Sequence, residues 1–333
     1  MSSMSSDFKA GMIGVGSMGK NHARVYSEMG ALSGIADADI ETASGLADRF
    51  GVQFYSDYSE MLATDITAVN VATPTVTHYQ IVRDALEAGK HVLVEKPMCS
   101  NLEQSRELVS IAEANGLVLA VGLIERHNPV VKFAKDAILE GRFGDVVTLS
   151  SRRVSSMPGR IRDVGVIMDL GVHDIDVMRY LAASPVKSVY TLGGTRSEVD
   201  FEDHANIQLE FENGIMGLVE VNWLTPMKVR RLALTCLQNY VEVDYITQGA
   251  TVSSSTLPET YDTANLYHLP IEFHVRHVSI KKQEPLRNEL EDFRKAVVHG
   301  GKPLVTGPDA IETLRASEAA VESLTEGKKV LLE

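Results

Sequence analysis

A glycine-rich turn limits how this chain can fold more than any other feature. Gly14-Val15-Gly16-Ser17-Met18-Gly19 lies directly after a short apolar run and directly before a stretch with helical spacing. A G-x-G-x-x-G in that setting needs a strand that ends in a tight turn and a helix packed close upon it, the opening unit of a doubly wound parallel sheet. The following segments repeat the unit. AGMIGVG (10–16), LSGIAD (32–37), AVNVAT (68–73), HVLVE (91–95) and LVLAVG (117–122) are short and β-rich, and the stretches between them are amphipathic. Between residues 76 and 88, Ile81, Val82, Ala85 and Leu86 share one helical stripe, with Arg83, Asp84 and Glu87 off it. Gly89 follows where such a helix ends in a left-handed residue.

Past about residue 123 the texture changes. The runs 146–154, 186–194, 205–224, 229–246 and 273–280 are longer and not each followed by a helix, which is the pattern of hairpins in a mostly antiparallel sheet. Asn213-Gly214 marks one hairpin turn, because both residues accept positive φ. Helical spacing is confined to 130–139, 169–181, 288–299 and 308–325. The expected fold class is α/β, with a parallel-sheet domain over 1–123 and an α+β domain over 124–333.

Composition narrows the partners. With 45 acidic against 32 Lys and Arg residues the net charge is −13, whereas nucleic acid or an anionic membrane needs a cationic footprint. No apolar run approaches the ~18–20 residues that span a bilayer. The expectation is no nucleic acid, no membrane and a small-molecule partner. Cys99 and Cys236 have no CxxC spacing, so they offer neither a disulfide framework nor a thiolate metal site and suit a reducing compartment, the cytoplasm. The Ser-rich start, Met1 to Asp7, lacks the charged and apolar regions of an export signal.

Four sets of residues could carry chemistry. Gly14, Gly16 and Gly19 would let the backbone approach a pyrophosphate at a helix N-terminus. Asp37 closes the second run 21 residues past Gly16, where a carboxylate can accept from both ribose hydroxyls. Ala38 follows it in place of the Arg or Ser that would suit a 2′-phosphate, so NAD is favoured over NADP. Val94-Glu95-Lys96-Pro97 falls at the carboxyl end of a strand, the edge where open α/β sheets bind ligands, and Lys96 would point toward the nicotinamide end. A lysine there is equally often a solvated charge. Asp169 and His173 lie four apart on one helical face, so a carboxylate can steady an imidazole for proton transfer near neutral pH. Asp169 as a helix cap and His173 as an interior histidine are the plainer readings. Zinc needs a third ligand that only His78 or His91 could supply by assumption, so no metal is expected. Arg152, Arg153, Arg160 and Arg162 fall within eleven residues and suit a diphosphate, while surface ion pairs or contact with another subunit would use them equally.

Taken together, these motifs resemble the glucose-fructose oxidoreductase, inositol dehydrogenase and rhizopine-catabolism family over nearly the whole chain. Ala72-Thr73-Pro74 with His78 is similar to that family's cofactor loop, and residues 85–92 are similar to its approach to Glu-Lys-Pro. The resemblance implies a Rossmann domain over 1–123 and a substrate and oligomerisation domain over 124–333 with a large open-faced sheet, hence a homodimer or homotetramer. It implies oxidation of a secondary hydroxyl of a sugar or cyclitol, with catalysis by Lys96, Asp169 and His173. His173 is the first choice of base and Lys96 the second. Cofactor contact falls on Gly14, Gly16, Ser17, Met18, Gly19, Asp37, Ala72, Thr73, Pro74, His78, Glu95 and Lys96.

Residues 125–129, 157–166, 223–230 and 284–286 are similar to a branch of the family that oxidises carbon 3 of UDP-N-acetylglucosamine. That likeness places substrate on Arg126, Asn128, Arg160, Arg162 and His173. His127 departs from it, since an aromatic such as Phe is expected there. The alternatives are a dehydrogenase of inositol, free sugar or another polyol, for which the arginines are incidental, and a non-catalytic dinucleotide sensor, which has no need of three proton-handling groups.

Overall fold

The computed structural model describes residues 8–157, 164–256 and 272–332. Met1–His127 with Gln283–Arg315 form one compact unit, and Asn128–Lys282 with Ala316–Glu333 form a second. A single cut at residue 123 is therefore corrected. Residues 283–315 return to the first unit because Leu286, Leu290 and Phe293 of helix α8 (Pro285–His299) pack into one core with Phe8, Tyr26, Leu93 and Ala120. Apolar helical spacing announces that α8 must bury a face but not against which partner.

In the first unit, strands β1 (Ala10–Ile13), β2 (Leu32–Ala36), β3 (Gln53–Tyr55), β4 (Ala68–Val71), β5 (His91–Glu95) and β6 (Leu119–Gly122) form a parallel sheet in the order β3-β2-β1-β4-β5-β6. Strand order reverses between β1 and β4, which opens a crevice at the carboxyl edge. β1, β4 and β6 are wholly buried, as strands covered on both faces must be. The connecting helices are α1 (Gly19–Glu28), α2 (Ile40–Phe50), α3 (Tyr58–Leu62), α4 (Thr75–Glu87) and α5 (Leu102–Ala114). Helix α4 ends at Glu87 with Ala88 as its C-cap, and Gly89 takes φ +72° just beyond it. β3 went unforeseen because three half-exposed residues carry no periodicity.

The second unit holds β7 (Val146–Ser156), β8 (Val186–Gly194), β9 (His204–Phe211), β10 (Met216–Asn222), β11 (Leu224–Cys236), β12 (Tyr240–Asp244), β13 (Gly249–Thr256), β14 (Glu272–Val278) and β15 (Val330–Leu331). They form a nine-stranded sheet in the order β14-β13-β12-β11-β7-β10-β9-β8-β15, antiparallel except at β7–β10. The β9–β10 hairpin turns at Gly214, φ +87°. One face buries Leu149, Ile207, Val219 and Leu234 with Val131 and Ala134 of α6 (Pro129–Leu139) and Ile175 and Met178 of α7 (Val172–Ala182). On the other face the register aligns Glu242, Ala233, Ser150, Leu218, Gln208 and Tyr190 in one row, each exposed or half-buried. The boundary between the units falls within the last helix, α9 (Gly307–Glu326). No helix among the described residues is long and apolar enough to cross a membrane.

Candidate active site

At the crevice of the first unit the three glycines do different things. Gly14 takes φ +85°, and a Cβ on it would stand 2.8 Å from the Ala72 carbonyl oxygen. A Cβ on Gly19 would lie 1.9 Å from the Gly14 carbonyl oxygen, so only glycine lets α1 approach the turn. A Cβ on Gly16 would meet nothing within 4 Å, which leaves a cradle open above the turn. Helix α1 has no side-chain cap and no acidic residue in its first turn, so its positive end faces that space. Asp37 is fixed behind the turn, its Oδ2 accepting from Val15 N at 2.6 Å and its Oδ1 from Asp39 N at 2.9 Å. Each oxygen keeps lone-pair capacity for a ribose hydroxyl. Cradle, helix end and carboxylate fit a dinucleotide.

The neighbouring loops are tied together from below. His78 is buried, with Nδ1 2.9 Å from the Pro97 carbonyl oxygen and Nε2 2.9 Å from that of Thr73. It therefore joins the Ala72-Thr73-Pro74 loop to the Lys96-Pro97 turn, whose peptide bond is cis. Glu95 is likewise engaged inside. Its Oε1 lies 2.9 Å from Nε2 of His22 on α1, and its Oε2 accepts from Lys96 N at 3.2 Å. Burial opposes charge on Glu95, but the His22 hydrogen bond and the Lys96 ammonium hold its carboxyl below the usual range. Gly122 makes room for it, since a Cβ there would come within 3.1 Å of Oε2. Lys96 is half-buried at the end of β5. Sequence reasoning missed His22, whose one signal was an imidazole on the buried face of α1.

In the second unit the segment bearing Asp169 and His173 begins earlier than its spacing predicts. Ile167–Gly171 forms a π-helical turn that runs into α7, so Asp169 lies inside the turn and not at a cap. Single π turns recur at functional sites. Asp169 is buried and His173 half-buried. Glu202 anchors the start of the turn, its Oε1 accepting from Ile167 N at 3.1 Å and its carbonyl oxygen from Val166 N at 2.9 Å. Burial holds the Glu202 carboxyl above the usual range. Its carboxylate occupies the space where a side chain at Gly165 would begin, 2.0 Å from a Cβ placed there.

The arginines do not form one patch. Arg152 and Arg153 are neighbours on β7 and so point to opposite faces of the sheet. Arg152 lies on the uncovered face, 3.1 Å from Glu220. Arg153 is 1% exposed, with Nε 2.5 Å from Asp174 Oδ2 and its guanidinium 5.1 Å from the centre of the Tyr245 ring. Arg160 and Arg162 lie outside the described residues.

Arg126 and Asn128, expected to contact substrate, are both buried in the structure. Arg126 is 4% exposed and pairs with Asp309 at 3.3 Å. Asn128 caps α6 and donates Nδ2 to the Tyr245 carbonyl oxygen at 3.1 Å. Between them His127 is buried, and burial together with the Arg126 charge pushes its pKa down to about 4. A loop motif read in sequence does not tell which way a side chain faces.

A doubly wound parallel sheet with an open glycine cradle at a helix N-terminus and a carboxylate fixed behind the turn is the architecture of a dinucleotide-binding domain. The chain belongs to the GFO/IDH/MocA family. Residues 8–123 match its model described as oxidoreductase family, NAD-binding Rossmann fold, and residues 131–242 match its C-terminal domain. The chain is 29% identical over 296 residues to UDP-N-acetylglucosamine 3-dehydrogenase of Acidithiobacillus ferrooxidans, covering 87% of this chain and 88% of that protein. A solved structure of that enzyme superimposes with a TM-score of 0.85 at 25% identity, covering 96% of this chain and 98% of the other. The chain is also 26% identical to scyllo-inositol 2-dehydrogenase (NAD+) of Bacillus subtilis, over 99% of this chain and 98% of that one.

Proposed function

We propose that the protein is an NAD-dependent dehydrogenase of a sugar hydroxyl, and that the hydroxyl is carbon 3 of UDP-N-acetylglucosamine. The observation that carries the chemistry is a half-buried imidazole, His173, one turn beyond a buried carboxylate, Asp169, on a segment held at its start by Glu202. NAD, when bound, supplies the acceptor for the hydride. In the reaction proposed, the glycine turn bears the pyrophosphate and Asp37 the ribose hydroxyls. His173 takes the hydroxyl proton, Asp169 stabilises the imidazolium that results, and Lys96 offsets the negative charge that develops on the oxygen. Arg160 and Arg162 keep the diphosphate as their expected partner.

NADH formation is to be measured with NAD or NADP against UDP-N-acetylglucosamine, its uronic acid, UDP-glucose, glucose and myo-inositol, with a ketone trap to pull an unfavourable equilibrium. The expected response is confined to NAD and the UDP-N-acetyl sugars. A response to inositol or free sugar would replace the nucleotide sugar by a polyol, the reading that the similarity to scyllo-inositol 2-dehydrogenase favours. Turnover with NADP would overturn the argument from Asp37, and stoichiometric NAD binding without turnover would leave a sensor.

We also infer that the uncovered face of the nine-stranded sheet is closed by a second copy of this chain, giving a homodimer or homotetramer. Exposed Leu192, Met216, Leu218 and Tyr240 lie there among ion pairs such as Arg152–Glu220, a mixture that suits an isologous contact. Light scattering that reports a monomer at working concentration would end this inference.

A further inference from the structure

His22 supports an inference that rests on Lys96 as the group offsetting charge on the reacting oxygen, and deepens that reading. Its side chain is fully buried on α1. Nε2 lies 2.9 Å from Glu95 Oε1, while Nδ1 has no hydrogen-bond partner among the described residues. The ionised Glu95 carboxylate can only accept, so Nε2 is the donor. Buried polar atoms are ordinarily satisfied, as both ring nitrogens of His78 are. His22 instead leaves one nitrogen dry for the sake of a single bond to Glu95, a desolvation cost that the fold alone does not call for. Glu95 passes the constraint on. With Oε1 committed to His22, its Oε2 accepts from Lys96 N at 3.2 Å, so turning the carboxylate would break one bond or the other. Beyond Lys96, His78 of α4 engages the Pro97 carbonyl oxygen at 2.9 Å. Lys96 thus stands between two anchored peptide groups, one held from α1 and one from α4.

We propose that His22 is a positioning residue for Lys96: through Glu95 it fixes the Lys96 N–H, and so ties the helix that faces the pyrophosphate to the lysine that meets the reacting oxygen. His22 lies in the first turn of α1, which begins at Gly19 beside the open cradle. The turn itself does not depend on the imidazole, because Gly14 and Gly19 set its close packing and Asp37 holds it through Val15 N. Loss of the His22–Glu95 bond is therefore expected to displace Lys96 while leaving the cofactor's seat in place.

The test compares His22→Asn with His22→Gln in the full-length protein. Both are neutral and polar, but only the longer glutamine can bring an amide nitrogen to where Nε2 stands and donate to Glu95. His22→Asn is expected to lower kcat about 100-fold, the cost of a misplacement of about 1 Å, with the NAD Kd retained. His22→Gln restores most of the rate. Glu95→Ala should show a similar fall, and adding His22→Asn to it should cost nothing further, because residues that act through one another are not additive. Equal losses in the Asn and Gln variants, full additivity with Glu95→Ala, or an NAD affinity that falls in step with kcat would each overturn the proposal. Melting curves identify a variant that does not fold, and His22→Leu, which removes the dry nitrogen together with the bond, then replaces His22→Asn. The Lys96 amide gives a reading without any substrate, followed by NMR in protein labelled with ¹⁵N-lysine and assigned by its loss in Lys96→Arg. Its hydrogen exchange is expected to quicken in His22→Asn and to stay slow in His22→Gln, and unchanged exchange in both would end the proposal. Should no sugar be oxidised, the proposed function fails while this amide still decides whether His22 sets Lys96.

Discussion

Replacing His173 by alanine is expected to lower kcat about 10²–10⁴-fold, the range for loss of a positioned general base. NAD affinity should be retained, because the glycine turn and Asp37 belong to the first unit and His173 to the second. The fold should survive as well. His173 is half-buried and begins α7 next to Val172 and Ile175, which carry the apolar contacts there. Steady-state kinetics with NAD titration would check both halves of the expectation. Turnover equal to that of the unmutated protein would remove His173 from the mechanism and leave Lys96 as the base.

Gly19→Ala is expected to abolish useful NAD binding, with Kd raised about 100-fold or more, equivalent to ~2.7 kcal/mol. Its Cβ would fall 1.9 Å from the carbonyl oxygen of Gly14, and because that obstacle is backbone, α1 itself must move away from the turn. Thermal stability should fall with it, since Ala23, Val25 and Tyr26 of α1 are all buried. Gly16→Ala separates the two effects. Nothing lies within 4 Å of its added Cβ, so the melting temperature should hold while NAD binding weakens as the methyl group enters the cradle. Calorimetric NAD titration of both variants beside their melting curves is the measurement. Tight NAD binding by Gly19→Ala would show that the cofactor does not use this turn.

Much of the fold was legible because its cause is local. Alternating short β-rich runs and amphipathic stretches imply a parallel sheet, and Gly14, Gly19 and Gly89 stand where a backbone without Cβ is required. Asn213-Gly214 identified its hairpin for the same reason. Other elements carried no such local cause. β3 is three residues long, and the run read as 229–246 is two strands, β11 and β12, whose separation depends on pairing across the sheet. The π turn before α7 was hidden because its sequence is equally compatible with an ordinary helix.

The sequence by itself determined which residue types the proposed function calls on: glycines at the turn, a carboxylate at the end of β2, a lysine after β5, and a carboxylate and an imidazole four residues apart. Only the tertiary structure decided which charged side chains face inward. Arg152 and Arg153 are adjacent and chemically identical, yet one meets Glu220 on the uncovered face and the other is sealed against Asp174, because a strand alternates its side chains and the sheet is covered on one side. Arg126, His78 and His22 lie on helical turns and are also buried, engaged by Asp309, by two carbonyl oxygens and by Glu95. A buried polar group must find a partner, and that partner stands between 5 and 183 residues away in the chain, a distance that folding alone closes.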